Sequence, residues 1–484
     1  MHEITGKRDE VLKLLHDTVQ QLGQNPTAVK KAGVKAMSLK SESQWSGQRD
    51  QLVDFLKTGY DIEQPKKKLK AAGLGAVPNE RAVESWYAPR NQAVAVFQAA
   101  MDEYLTERFG AHDPGEDGAA SSKKATKKKG VKAQSLGAKV SGAKVGDTVP
   151  ARPTIDAFYQ VTAGVKKAGV KAAAIVTQFS NLDPGWVEVV AEKAKVLFKG
   201  KHKFIKHTSP NSFQFDLKDE NQDGVTTIAV VGDWGGGNEA AQAVAAQIRA
   251  LKPDHVIHLG DVYYAGTTKE VQERFLKYWP APAGSGRSFA LNSNHEMYSG
   301  GYGYFDVTLP EFKQPASYFC LADENWRFIG LDTGYIDHDL NSEQVDWLTA
   351  QFKKPFKGKT VLLSHHQLFS AYEDTNAAHL QARVQPFLDA KQIHGWIWGH
   401  EHLNVAYEPF MNVQHAVCLG NGCFPYDPPS SQPKVPVKWM NNRLQSSAGS
   451  YRGVHSYAVL RVSAKQVKIE YRDQDGFLGF QDIW

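Results

Sequence analysis

The chain is poor in the features that mark secreted, disulfide-stapled and membrane-spanning proteins. Only three cysteines, Cys320, Cys418 and Cys423, occur in 484 residues. An odd number cannot all pair, and the expected state is reduced, buried thiols in a cytoplasmic protein. Cys418 and Cys423, in Cys-Leu-Gly-Asn-Gly-Cys, keep the alternatives of a metal clip or a disulfide open. No run of about eighteen apolar residues occurs, which argues against a membrane-spanning helix. Met1 to Glu10 lack the apolar core of a secretory signal, so the expected location is cytoplasmic, with signal-independent export as the alternative.

Acidic residues are also missing from one stretch. Between Ser121 and Gly146 there are eight lysines and no Asp or Glu. The net charge of +5 therefore belongs to that segment, and without its lysines the chain carries −3. Ala, Gly, Ser and Lys dominate residues 110–153, and Gly137-Ala138-Lys139-Val140 recurs as Gly142-Ala143-Lys144-Val145. This composition buries too little apolar surface to offset the entropy of ordering, so a flexible linker is expected. Residues 121–146 could attract nucleic acid or an anionic surface through charge alone.

What is present fits a globular protein with an ordinary 42% hydrophobic content and two or three domains. Residues 1–109 read as a helical N-terminal module. Val11, Leu14, Leu15, Val19 and Leu22 share one helix face, a second helix is expected over 48–57, and a third over 80–109 with a break at Pro89. Residues 154–222 read as a bridging region, with a helix opening at Asp183-Pro184 and running to about Phe198, and a strand at Phe213–Leu217. From Thr226 onward apolar strands alternate with helical stretches, and 223–484 forms an α/β catalytic domain whose last two strands, 455–462 and 467–471, pair antiparallel.

Within that domain, five polar clusters each follow an apolar run. They are Gly232-Asp233-Trp234-Gly235, Gly260-Asp261-Val262-Tyr263-Tyr264, Ser293-Asn294-His295-Glu296, Ser364-His365-His366 and Gly399-His400-Glu401-His402. Asp, Asn, Tyr and His supply the oxygen and nitrogen donors preferred by hard and borderline metals. Strand ends delivering them to one sheet edge build a metal site, expected to hold two metal ions.

The five blocks, in this order, resemble the calcineurin-like metallophosphoesterase superfamily, and specifically its purple acid phosphatase-like branch. The superfamily's opening Asp-x-His is here Asp233-Trp234-Gly235, without the histidine, while Gly-Asp-x-x-Tyr supplies Tyr264, as that branch does. The resemblance implies a four-layer β-sandwich flanked by helices, preceded here by the small helical domain and linker. It implies Asp233, Tyr264 and His402 at the first metal, Asp261 bridging, and Asn294, His365 and His400 at the second. A phenolate suits ferric iron at the Tyr264 site, and imidazoles with an amide oxygen suit iron, manganese or zinc at the other. It further implies phosphoester hydrolysis by a metal-bridged hydroxide, with His295 contacting the phosphate and assisting the leaving group as the catalytic side chain. His366 is a second candidate for substrate binding.

Departures from the branch are Ser293 where glycine is usual, Gln367 in place of a proline, and no obvious second substrate histidine, His379 being fourteen residues past His365. Glu401 and Asp332 are expected to support the strand ends, and Tyr298, Tyr302 and Tyr304 either line the pocket or form a plain aromatic loop. The expected activity is hydrolysis of phosphorylated substrates, first a phosphomonoesterase resembling an acid phosphatase. Alternatives are a phosphodiesterase or nuclease that holds nucleic acid on the basic segment, and a non-catalytic binding protein on this fold.

Overall fold

A computed structural model describes residues 8–24, 50–58, 60, 91–109 and 199–484, the last span apart from 221, 282–285, 374, 425, 427 and 448–449. The expected linker at 110–153, the basic segment at 121–146 and the helix after Asp183-Pro184 lie outside the described residues. Among the described residues no helix is long and apolar enough to cross a membrane.

Two sheets form the centre, apart from a two-stranded sheet of β12 (Leu444–Ser447) and β13 (Ser450–Gly453). The first has six strands: β2 (Thr226–Val231), β3 (His255–His258), β4 (Ser288–Ala290), β14 (Ser456–Val462), β15 (Val467–Asp473) and β16 (Leu478–Ile483). Their spatial order is β16-β15-β14-β2-β3-β4. The second has eight: β1 (Gln214–Asp216), β5 (Phe319–Ala322), β6 (Trp326–Gly330), β7 (Lys359–Ser364), β8 (Gly395–Trp398), β9 (Asn404–Tyr407), β10 (His415–Leu419) and β11 (Val437–Met440). They run in the order β1-β5-β6-β7-β8-β10-β9-β11. Strands β2, β3 and β4 are mutually parallel, as are β6, β7 and β8, while β14 and β15 form the expected antiparallel pair.

Strand alternation sorts the core into layers. Along β2, Ile228 and Val230 face the second sheet, where Val361, Leu363 and Ile397 meet them. Ala229 and Val231 face the opposite way, onto α3 (Glu239–Leu251) through Ala241, Val244 and Ile248. The outer face of the second sheet is covered by α4 (Ser342–Lys353) and α5 (Ala378–Asp389), with Trp347, Leu348, Leu380 and Val384 buried against Leu362 and Trp396. The period of two along each strand thus places one hydrophobic set between the sheets and another beneath helices. The result is a helix–sheet–sheet–helix sandwich, the expected four layers.

Local chemistry fixes the helix ends. Asn238 caps α3 by accepting from the Ala241 amide, and Asn341 caps α4 by accepting from the Glu343 amide. Two N-terminal helices are α1 (Arg8–Gln24) and α2 (Gln92–Phe109), with a further helical stretch at 50–58. Helix α2 begins beyond Pro89, with Asn91 Oδ1 accepting from the Val94 amide. Its Ala95, Val96 and Ala99 pack into the cluster beneath the six-stranded sheet, and Asp102 pairs with Arg274. At least this helix packs directly on the α/β domain.

Candidate metal centre

The candidate ligands all sit just beyond strand ends, at the same edge of both sheets. Asp233 follows β2, Asp261 follows β3 and Asn294 follows β4 in one sheet. His365 follows β7, and His400 and His402 follow β8 in the other. Parallel neighbours point their carboxyl ends the same way, so turns separated by tens of residues meet at one place. Asp233, Asp261, His400 and His402 all hold left-handed backbone, with φ of 55°, 77°, 67° and 50°. Non-glycine residues rarely adopt it, and such strain concentrates at functional sites. The turns are close: a Cβ on Gly260 would lie 2.8 Å from His365 Nδ1, and one on Gly399 would lie 2.6 Å from Asp233 Oδ2. Glycine at both positions lets the carboxylates and imidazoles approach.

Two groups of ligand atoms form there, and Asp261 belongs to both: Asp233, Asp261 and His402, and Asp261, His365 and His400. His402 Nε2 is 3.3 Å from Asp233 Oδ1. His365 Nε2 is 3.3 Å from Asp261 Oδ1 and 3.1 Å from both Asn294 Oδ1 and His400 Nδ1. The Nδ1 of His365 is 2.9 Å from the Leu259 carbonyl, so its proton goes there and Nε2 keeps its lone pair. Six of the seven expected ligands are therefore brought together.

The seventh is not. The hydroxyl at the cluster belongs to Tyr263, 2.8 Å from Asp261 Oδ2, 3.1 Å from Asp233 Oδ1 and 3.0 Å from His402 Nε2. Tyr264, expected there from the Gly-Asp-x-x-Tyr spacing, instead lies under the Arg274 guanidinium, which is 5.3 Å from its ring centroid. The turn after Asp261 is anchored by Arg274 to the Tyr263 carbonyl and by Glu270 to the Tyr264 amide, and these contacts direct Tyr263 inward.

Electrostatics explain what such a cluster needs. Asp233 and Asp261 are completely buried, and their ion-pair partners among the described residues are the histidines His295, His365 and His402. Burial and the neighbouring Asp261 charge push the Asp233 carboxyl up to about 7. Burial would also raise Asp261, but His295, His365 and the hydroxyls of Ser293 and Tyr263 together hold it below the ordinary carboxylate range. Burial brings His365 down to about 3, so it is neutral, as a ligand must be. Buried negative charge facing neutral nitrogen and amide donors fits two cations.

The remaining candidates fall on either side of this cluster. His295 is buried beside it, with Nδ1 2.6 Å from the Tyr264 carbonyl and Nε2 turned to within 3.9 Å of Asp261 Oδ2. His366 is fully buried, its ring packed between His338 and His400 at centroid distances of 3.9 and 4.6 Å. Glu401 accepts from Trp398 Nε1 and the Ser370 hydroxyl, so it braces the strand end. Asp332 accepts from Asn292 and from the Gly334 and Tyr335 amides, pinning the loop after β6. Tyr298 accepts from Asn294 Nδ2, Tyr304 is bonded into the core through the Ala290 carbonyl, and Tyr302 stands edge-on to His202. His379 is exposed on α5. The three cysteines are buried and unpaired with one another; the Cys418 and Cys423 thiols donate to the Leu403 and Asp233 carbonyls.

Some partners were not legible as functional residues. Ser293 caps the helical turn Asn294–Met297, and its hydroxyl also reaches Asp261 and Glu296. Glu296 is pushed up to about 8 by burial and by Asp261. Serine at the usual glycine position was the available signal. Asp337 and His338, beside His366, lie well past the end of β6 and carried none.

The chain is similar to known phosphoesterases. The family model for calcineurin-like phosphoesterases matches residues 226–404. Tartrate-resistant acid phosphatase type 5 from Sus scrofa is 22% identical over 293 residues, covering 52% of this chain and 84% of the relative. The Rattus norvegicus enzyme of the same name is 23% identical over 289 residues, covering 51% and 87%. A purple acid phosphatase from yellow lupin (Lupinus luteus) seeds superposes with a TM-score of 0.41 at 15% identity, over 54% of each chain. Residues 226–404 thus match the calcineurin-like phosphoesterase family, and the similarity to acid phosphatases supports a metal-dependent phosphoesterase of the purple acid phosphatase-like branch.

Proposed function

We propose that this chain hydrolyses phosphomonoesters at a dinuclear centre, with Asp261 shared between the two ions. The observation that carries the reading is the double membership of Asp261, whose two oxygens face different ligand groups. Asp233, Tyr263 and His402 would hold the first ion, and Asn294, His365 and His400 the second. A phenolate oxygen beside two carboxylates favours ferric iron at the first, and nitrogen with an amide oxygen favours divalent iron, manganese or zinc at the second. Two such cations, when bound, neutralise phosphate oxygens and make water available as hydroxide near neutral pH.

The protein's own groups do the rest. His295 is held by the Tyr264 carbonyl with Nε2 facing the cluster; as the imidazolium, with Nε2 also protonated beside Asp261, it can contact a phosphate oxygen and pass the Nε2 proton to the departing alkoxide or phenoxide. Ser293 and the Glu296 carboxyl fix Asp261 through its side chain and amide. A small acid phosphatase-like substrate is favoured by the names of the two mammalian relatives and by the burial of the cluster.

The test is turnover of an aryl phosphomonoester and of its diester analogue by the full chain. The protein would be stripped of metal and reloaded with iron, manganese or zinc. The proposal expects metal-dependent turnover with the monoester preferred. Preference for the diester would move the chain to the phosphodiesterase reading, and no turnover by metal-loaded protein with either ester would contradict it.

A further inference from the structure

A third group of candidate ligand atoms, those of His338, His366 and His400, adjoins the dinuclear cluster, and Asp337 in the loop after β6 stands beside two of them. Asp337 Oδ1 is 3.1 Å from His338 Nδ1 and 3.3 Å from His366 Nε2. These separations match those within the two groups already described, at 3.1 to 3.3 Å. Ligand atoms at about 2.0–2.2 Å from a tetrahedral ion stand roughly 3.3–3.6 Å apart, so the two separations to Asp337 are close to those of a shared cation.

The hydrogen-bond pattern points the same way. His366 Nδ1 and its backbone amide are both 3.0 Å from Thr333 Oγ1, and in the tautomer that donates from Nδ1 to this hydroxyl Nε2 keeps its lone pair. This repeats the arrangement at His365, whose Nδ1 is held by a carbonyl while Nε2 faces the cluster. Both His366 Nε2 and His338 Nδ1 are buried and make no well-directed hydrogen bond, so their contact with Asp337 is one of distance alone. A buried acceptor nitrogen without a donor is costly in the absence of a partner. His338 also has left-handed backbone, φ 58°, like four of the ligands above. The loop is fixed by Asp332 and by the His338 amide, which donates to the Thr333 carbonyl.

We propose that Asp337, His338 and His366 form a third divalent-cation site, separate from the dinuclear pair. Two imidazoles and one carboxylate are the donor set of zinc-class ions, and three protein ligands leave one position open. The site adjoins the second half of the dinuclear centre, since the ligand nitrogens of His338, His366 and His400 lie within 4.8 Å of one another. An ion held there could also bind an oxygen of the substrate or its leaving group. His366 then acts on substrate through a cation instead of touching it directly.

The test counts metal. Full-length protein, stripped with a chelator, is dialysed against zinc buffered at low-micromolar free concentration and analysed for bound zinc per chain. Wild type should hold three ions, and Asp337→Asn and His338→Gln two each. Asp337 is 65% exposed at its side chain, so its substitution leaves the core untouched. Asp261→Ala should lose the dinuclear pair and keep one ion, which separates failure here from failure of the dinuclear reading. Two ions in wild type would overturn the site, as would an unchanged count of three in both loop variants. A wild-type count of two with a raised KM in His338→Gln would make the loop a direct substrate contact instead.

Discussion

The Tyr263 hydroxyl lies 2.8 Å from Asp261 Oδ2, while the neighbouring Tyr264 ring faces Arg274. The geometry and the Gly-Asp-x-x-Tyr spacing thus name different tyrosines for the phenolate position. With ferric iron bound, a phenolate ligand gives visible charge-transfer absorption. Tyr263→Phe is expected to lose that band and Tyr264→Phe to keep it. The opposite pattern would return the ligand to Tyr264.

His295 touches the cluster without belonging to either ligand group. His295→Ala should keep the full complement of ions yet lower kcat by about 10²–10⁴-fold, the usual range for a positioned proton donor. Elemental analysis alongside steady-state kinetics checks both halves. Loss of metal together with rate would make His295 a support for the ligands instead.

Arg274 ties three things together: Asp102 on α2, Glu270, and the Tyr263 carbonyl at 2.8 Å. Its side chain is only 13% exposed, and both carboxylates are more buried still. Removing one member of a buried ion network leaves uncompensated charge, at a cost of about 3–5 kcal/mol. Arg274→Met should shift the denaturant midpoint accordingly. A midpoint unchanged from wild type would show that α2 does not depend on this contact.

His258 has neither ring nitrogen hydrogen-bonded and packs among Trp234, Phe275 and Trp279. Burial lowers it from 6.5 to about 3, against the pull of Asp261. A histidine lowered in the folded state takes up its proton first in the unfolded chain. Its contribution to stability is therefore full above pH 6.5 and is lost as pH falls from there toward 3, at about 1.4 kcal/mol per pH unit. His258→Leu should make denaturation midpoints less dependent on pH in that window. Equal slopes for variant and wild type would rule out this source of acid sensitivity.

The ligand positions were legible because the chemistry repeats a local pattern: an apolar strand, then a polar turn. Asp233, Asp261, Asn294, His365, His400 and His402 each carry that signal, and two parallel three-strand runs bring them to one edge. The choice between Tyr263 and Tyr264 was not legible, since strand alternation no longer applies in the turn beyond β3. Asp337 and His338 were hidden for another reason: they reach the site through a long loop, where sequence spacing says nothing about distance. Helix α5 keeps the i, i+4, i+7, i+8 apolar spacing of Leu380, Val384, Phe387 and Leu388, but Pro386 within it is a helix-breaking signal. Asp102 of α2 meets Arg274, 172 residues away, and no local rule could show that.

The central claim is that Asp261 bridges two ions that together support hydrolysis. The most direct measurement is bound metal and monoester turnover in Asp261→Ala beside wild type, on the full chain reloaded under the same conditions. A bridging role predicts two fewer ions per chain and no measurable turnover. A variant that binds as much metal as wild type and turns over at a similar rate would contradict the account.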